Sequence, residues 1–112
     1  MSSLIDDIKT EDFDSLVLKS AIPVFVEFHA QWCGPCKAMA PALEDMAREF
    51  EGEVKIVKID IDAEPKLAEA YAVQGVPTFI MVTDGEVRER LSGGMTRGAM
   101  SAIFERFAGA GK

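Results

Sequence analysis

An α/β fold, a central mixed sheet in the order βαβαβαββα sandwiched between helices, is what the sequence predicts, on three observations. Short apolar runs alternate with segments whose apolar residues recur at helical spacing, the pattern of strands joined by crossover helices. Asp84-Gly85, between two of the later runs, is a strong hairpin signal that adds an antiparallel pair. A chain of 112 residues makes one compact domain, 1–112, with no length left for a second.

Each element has its own signal. Residues 4–8 read as a possible first strand. Thr10 reads as a helix N-cap, with Glu11 and Asp12 in the first turn and Phe13, Leu16 and Val17 forming one apolar face. Residues 23–28 (PVFVEF) are apolar apart from one carboxylate, which suits a central strand covered on both faces. A helix opens near Cys33, with Met39, Leu43, Met46 and Phe50 at 3.6-like spacing. Pro35 fits its first turn and Pro41 predicts a kink. Residues 54–61 form a Val/Ile-rich strand. A short helix starting at residues 62–65 carries Leu67, Ala70 and Tyr71 and is closed by Gly75. Residues 78–82 are a third strong strand. Residues 86–91 follow the hairpin as a strand whose Arg88, Glu89 and Arg90 guard an exposed edge. Thr96 caps a last helix with Met100, Ile103, Phe104 and Phe107 on one face. The Ala/Gly tail, residues 108–112, is expected to fray.

Composition removes several functions. Twelve basic against 19 acidic residues leave a net charge of −7, which repels nucleic acid and anionic membrane. No apolar run approaches the roughly 18 residues of a membrane span. Residues 1–13 carry Asp6, Asp7, Glu11 and Asp12 and lack the apolar stretch of a secretory signal, so a cytoplasmic location is expected. No Gly-rich phosphate loop is present, so no nucleotide cofactor is expected.

The two cysteines, Cys33 and Cys36, ask for a chemical explanation. A disulfide closing four residues stabilises by only about 2 kcal/mol in the chain-entropy formula, against about 3 for fifteen residues. The pair lies where the PVFVEF strand passes into a helix. A helix start offers unpaired N–H groups and a partial positive charge. Both favour an anion, and the thiolate is the reactive form of cysteine. The dipole favours it by about 0.3–1 kcal/mol, or up to about 2 when partly buried. Cys33, nearer the loop, is expected to be the exposed attacking thiol, and Cys36, one turn in, the shielded resolving one. The competing reading is half of a zinc site with His29 and Glu27. It lacks the four good ligands of structural zinc, so no metal is expected.

Trp32-Cys33-Gly34-Pro35-Cys36-Lys37, Pro41, the KIDID segment at residues 58–62, Val76-Pro77-Thr78, Asp84-Gly85 and Gly93 together resemble the thioredoxin family, over residues 10–107. WCGPC after an apolar strand, with VPT about forty residues later, is a specific signature. The resemblance implies the thioredoxin fold and a protein-disulfide reductase that needs no cofactor. It implies two kinds of partner, disulfide-containing client proteins and a separate thioredoxin reductase fed by NADPH or ferredoxin, with the chain acting as a monomer. It makes Cys33 the nucleophile and Cys36 the resolving thiol, and Pro77 a cis-proline beside them. Trp32, Gly34, Pro35, Val76, Pro77 and Gly93 become the docking surface, with Val76 pairing to an extended substrate. Glu27 stands where the family has a buried aspartate that exchanges a proton with the inner cysteine, and Lys58 matches the lysine that tunes that acid. His29 replaces an aromatic, commonly tryptophan, and either tunes the charge of the site or fills space. Gly-Pro between the cysteines resembles the reducing members; oxidants and isomerases usually carry a histidine there. The alternatives are a binding or scaffold subunit of the same fold without redox turnover, and a dedicated oxidant or isomerase.

Overall fold

The computed structural model of the chain describes residues 4–109. The elements in chain order are β1 (Asp6–Asp7), α1 (Thr10–Phe13), β2 (Val24–His29), α2 (Gly34–Glu49), β3 (Lys55–Asp60), α3 (Pro65–Ala70), β4 (Thr78–Thr83), β5 (Glu86–Ser92) and α4 (Arg97–Ala108). The strands form one sheet in the order β1-β3-β2-β4-β5. β1 and β2 run parallel to β3, while β4 runs antiparallel to both β2 and β5. This is the mixed α/β sheet of the thioredoxin fold that the sequence predicts.

Alternation along the strands divides the core in two, because successive side chains point to opposite faces. Phe25, Ile56, Phe79 and Met81 face α2 and α4, meeting Leu43, Met46, Met100 and Phe104. Val26, Phe28, Val57, Ile59 and Ile80 face the other way, toward Phe13, Val17 and Leu67. Every residue of β2 is buried, so Glu27 shares the sheet face of Phe25 and lies within the protein beneath α2. Phe25 stacks on Phe79 and meets Phe104 edge-on, with centroids 5.1 and 4.8 Å away. Such aromatic pairs add about 0.5–1.5 kcal/mol each beyond the area they bury.

The turns behave as their residues dictate. Asp84 and Gly85 both have positive φ, 53° and 78°, as a type I′ hairpin turn requires. The Thr96 hydroxyl accepts from the Ala99 amide at 3.1 Å and caps α4. The helix α2 runs through Pro41 as one element. β5 is an exposed edge strand.

Five expectations are corrected. The first strand shrinks to Asp6–Asp7, with Ile5 and Ile8 buried on either side. Thr10 is not a cap; it is already helical, and its N–H and hydroxyl both donate to Glu64 Oε1, at 2.8 and 2.9 Å. The helix it opens widens into a π turn over Asp14–Leu18, where the Lys19 amide reaches back to the Asp14 carbonyl. Gly75 does not close α3. The chain turns at Ala72, with φ of 54°, and Arg90 donates to the carbonyls of Tyr71 and Ala72. On α3 it is Ala68, not Ala70, that is buried. Of the tail expected to fray, Ala108 is the last residue of α4 and packs on the core; residues 110–112 lie outside the described residues.

Candidate active site

The end of β2 delivers the chain to the start of α2, and Cys33 occupies the junction. Its backbone is extended, with φ of −83° and ψ of 108°, and it is the N-cap of α2. The Cys33 carbonyl accepts the first helical bond, from the Lys37 amide. The Cys33 Sγ accepts from the Cys36 amide at 3.2 Å, as an N-cap side chain does toward the third helical residue. Pro35 fills a first-turn position where a missing N–H costs nothing. Cys33 and Cys36 are joined as a disulfide, with Cα atoms 5.3 Å apart, so the molecule is in its oxidised form.

Exposure does not separate the two thiols as the sequence reading expects. Cys33 is 3 % exposed and Cys36 5 %. Ala30, Ile61 and Val76 pack around both sulfurs. With the bond closed, each sulfur covers the other. What distinguishes Cys33 is its place at the mouth of the helix, where it receives an amide hydrogen.

The residues that the sequence reading assigns to substrate docking lie around the pair, some exposed and some buried. Trp32 is 67 % exposed, yet its position is fixed, because Nε1 donates to Asp62 Oδ2 at 2.8 Å. Gly34 and Pro35 are exposed beside it, and a side chain added at Gly34 would meet nothing within 4 Å. The Val76–Pro77 bond is cis. Val76 is half-buried against the cysteines, and Pro77 is buried. The Pro77 carbonyl accepts from the Gly93 amide at 2.8 Å, which ties this loop to the end of β5. Gly93 has φ of 87°, a left-handed conformation that favours glycine. A groove of about 340 Å³ runs along Gly75, Val76, Pro77, Ser92 and Gly93.

Behind the cysteines the sheet carries charge. The register places Glu27 beside Lys58, and Lys58 beside Asp7, in one row across β2, β3 and β1. Among the described residues, neither oxygen of the fully buried Glu27 has a hydrogen-bond partner. Burial pushes its carboxyl up to about 7; Lys58 pulls against this and Asp7 adds to it. A cleft of about 240 Å³ touches Glu27, Lys58, Asp7, His29 and Cys36 together. A carboxyl that titrates near neutrality, on the same cleft as a thiol, is suited to proton exchange.

The structure therefore gathers all ten site residues of the sequence reading around one end of the sheet and the start of α2. Three further participants escaped that reading. Asp7 accepts or shares a proton with His29 Nε2 at 2.9 Å. Asp62 anchors Trp32. Arg90 holds the end of α3 against the groove. Asp7 and Asp62 carry no local signal, since aspartates in acidic segments look like solvated surface. Among the described residues no group of three or more metal-capable side chains is assembled, and no helix is long and apolar enough to cross a membrane.

Comparison with known proteins places this arrangement. The family model described as thioredoxin matches residues 5–106. The chain is 39 % identical over 106 residues to thioredoxin C-2 of Corynebacterium nephridii, covering 95 % of this chain and 98 % of that protein. It is 35 % identical over 105 residues to thioredoxin of Pseudomonas aeruginosa, covering 94 % and 97 %. It is 35 % identical over 109 residues to the chloroplastic thioredoxin M5 of rice, covering 95 % of this chain. The chain spans 63 % of the length of that chloroplastic relative.

Proposed function

Because the chain belongs to the thioredoxin family, we propose that it carries electrons by dithiol–disulfide exchange, reducing disulfides in client proteins. The observation that carries this is the Cys33–Cys36 disulfide at the mouth of α2, with the Cys36 amide aimed at Cys33 Sγ. In the reduced chain Cys33 thiolate attacks a client disulfide. A Cys33–client bond forms, the client's own S–S bond breaks, and one client sulfur leaves as a thiolate. Cys36 loses its proton to Glu27 and attacks Cys33. The Cys33–Cys36 bond forms and the second client sulfur leaves. Two electrons pass to the client, and the chain ends as the oxidised form described above.

The geometry supports the remaining roles. The unpartnered Glu27 carboxyl shares a cleft with Cys36, and Lys58, beside it in register, tunes it by opposing the rise that burial causes. Trp32, Gly34, Pro35, Val76, Pro77 and Gly93 ring the disulfide and the groove; they receive an extended segment of the client, with Val76 as its backbone partner. The family works without a cofactor and in general is returned to the dithiol by thioredoxin reductase. A reductase of that kind is the partner proposed here, with the cytoplasm, where thiols are kept reduced, as the site of action.

Insulin reduction by dithiothreitol tests the reading. The chain accelerates it, and Cys33→Ser or Cys36→Ser abolishes turnover. Full activity in either variant overturns the redox reading in favour of a docking surface without exchange.

A further inference from the structure

Glu27 is buried, so a proton it takes from Cys36 has to travel before Glu27 can act again. Among the described residues its two oxygens have no hydrogen-bond partner, and Glu27 and Cys36 line one cleft together with His29, Asp7 and Lys37. At about 240 Å³ this cleft is polar and roomy enough for several waters, each of which needs about 30 Å³. His29 lies two residues beyond Glu27 on the same sheet face, about 7 Å along the strand. It is the only histidine in the sequence. Its side chain is 10 % exposed, and Asp7, which it contacts through Nε2, is 49 % exposed. A carboxylate on one ring nitrogen fixes the imidazole and leaves Nδ1 as the basic position.

We propose that the His29–Asp7 pair is the proton exit of this cleft, carrying to solvent the proton that Glu27 takes from Cys36. The proposal rests on the exchange mechanism above. In the resolving step Cys36 S–H gives its proton to the Glu27 carboxylate. Cys36 Sγ is oxidised as it bonds to Cys33 Sγ, and the client sulfur is reduced as it leaves with the electron pair. Glu27 then releases the proton through cleft water to His29 Nδ1. The imidazolium, balanced by the Asp7 carboxylate, gives it up to bulk water at the rim. The charged groups facing His29 are Asp7 from β1, Glu27 from its own strand, Lys58 and Asp60 from β3, and Lys37 from α2. His29 acts through Glu27 and touches neither sulfur in the reaction, so it is a positioning residue and not a catalytic one.

Ellman's reagent reads the step directly with the full reduced chain. The first aryl thiolate is released when Cys33 attacks, the second when Cys36 resolves. The proton that Cys36 gives up is followed in the same reaction with a pH-indicator dye in weakly buffered solution near neutral pH. In the wild-type chain it reaches solvent together with the second aryl thiolate. In His29→Ala and His29→Trp its release is expected to be about tenfold slower than that of the second aryl thiolate. A small addition of imidazole removes the lag in His29→Ala, where it has room, and not in His29→Trp, where the indole fills the space. Proton release in step with the second aryl thiolate in both variants overturns the relay. So does a lag that imidazole leaves untouched in His29→Ala, because that is the mark of a packing role. A wild-type chain with a first phase and no second contradicts the exchange mechanism itself.

Discussion

A carboxyl with no hydrogen-bond partner among the described residues, inside a strand buried on both faces, makes Glu27 the residue with the largest consequence for how this protein responds to pH. Burial raises its pKa from 4.5 to about 7. A folded state that holds a proton more tightly than the unfolded chain loses stability as pH rises. The contribution is fully present below about 4.5 and is lost by the time the pH passes 7. With 1.36 kcal/mol for each pKa step of one, the loss amounts to about 3 kcal/mol. Urea midpoints of the oxidised chain are expected to fall across that window, and those of Glu27→Gln to stay level, since an amide does not titrate. An equal fall in both proteins places the titration elsewhere. Glu27 was legible in the sequence because a single acid interrupts an apolar run. Its neighbour Asp7 was not, because an aspartate in an acidic segment shows its role only when β1 pairs with β3 and brings it to His29.

At the level of elements, local chemistry was legible wherever the partners are local. Thr96 takes the amide of Ala99 three residues on, and Asp84-Gly85 needs only its own two positive φ angles. Thr10 carried the same cap signal as Thr96 and does something else, because its hydroxyl finds Glu64, 54 residues away. The close of α3 was misplaced for the same reason. The carbonyls just past its end, those of Tyr71 and Ala72, are satisfied by Arg90 from β5, which holds the turn without a glycine. The contrast has a measurable form. Thr96→Ala is expected to cost about 1 kcal/mol, the usual worth of an N-cap. Gly85→Ala is expected to cost about 1–2 kcal/mol for a Cβ in the left-handed region, where it would also come within 3.4 Å of the Leu18 carbonyl. Urea unfolding of the two variants checks both; a neutral Gly85→Ala contradicts the type I′ turn.

For the molecule as a whole, the two core clusters hold β2 rigidly between α2 and α4 on one face and the shorter helices on the other. That is what fixes the mouth of α2 at the end of the central strand. The order of strands was legible from apolar runs and helical spacing, since both follow from burial. The pairing of thiol with groove, and of cleft with rim, depends on which loops meet at one end of the sheet. Val76 reaches the cysteines, and Gly93 binds Pro77, only in the folded chain. The proposed chemistry then rests on an ionised Cys33 supported by the Cys36 amide and the dipole at that helix start. Iodoacetamide labelling of the reduced chain over a pH series measures this most directly. The account expects Cys33 to be alkylated faster than free glutathione near neutral pH, with a midpoint below that of an ordinary thiol. Labelling no faster than glutathione, or preferential labelling of Cys36, contradicts it.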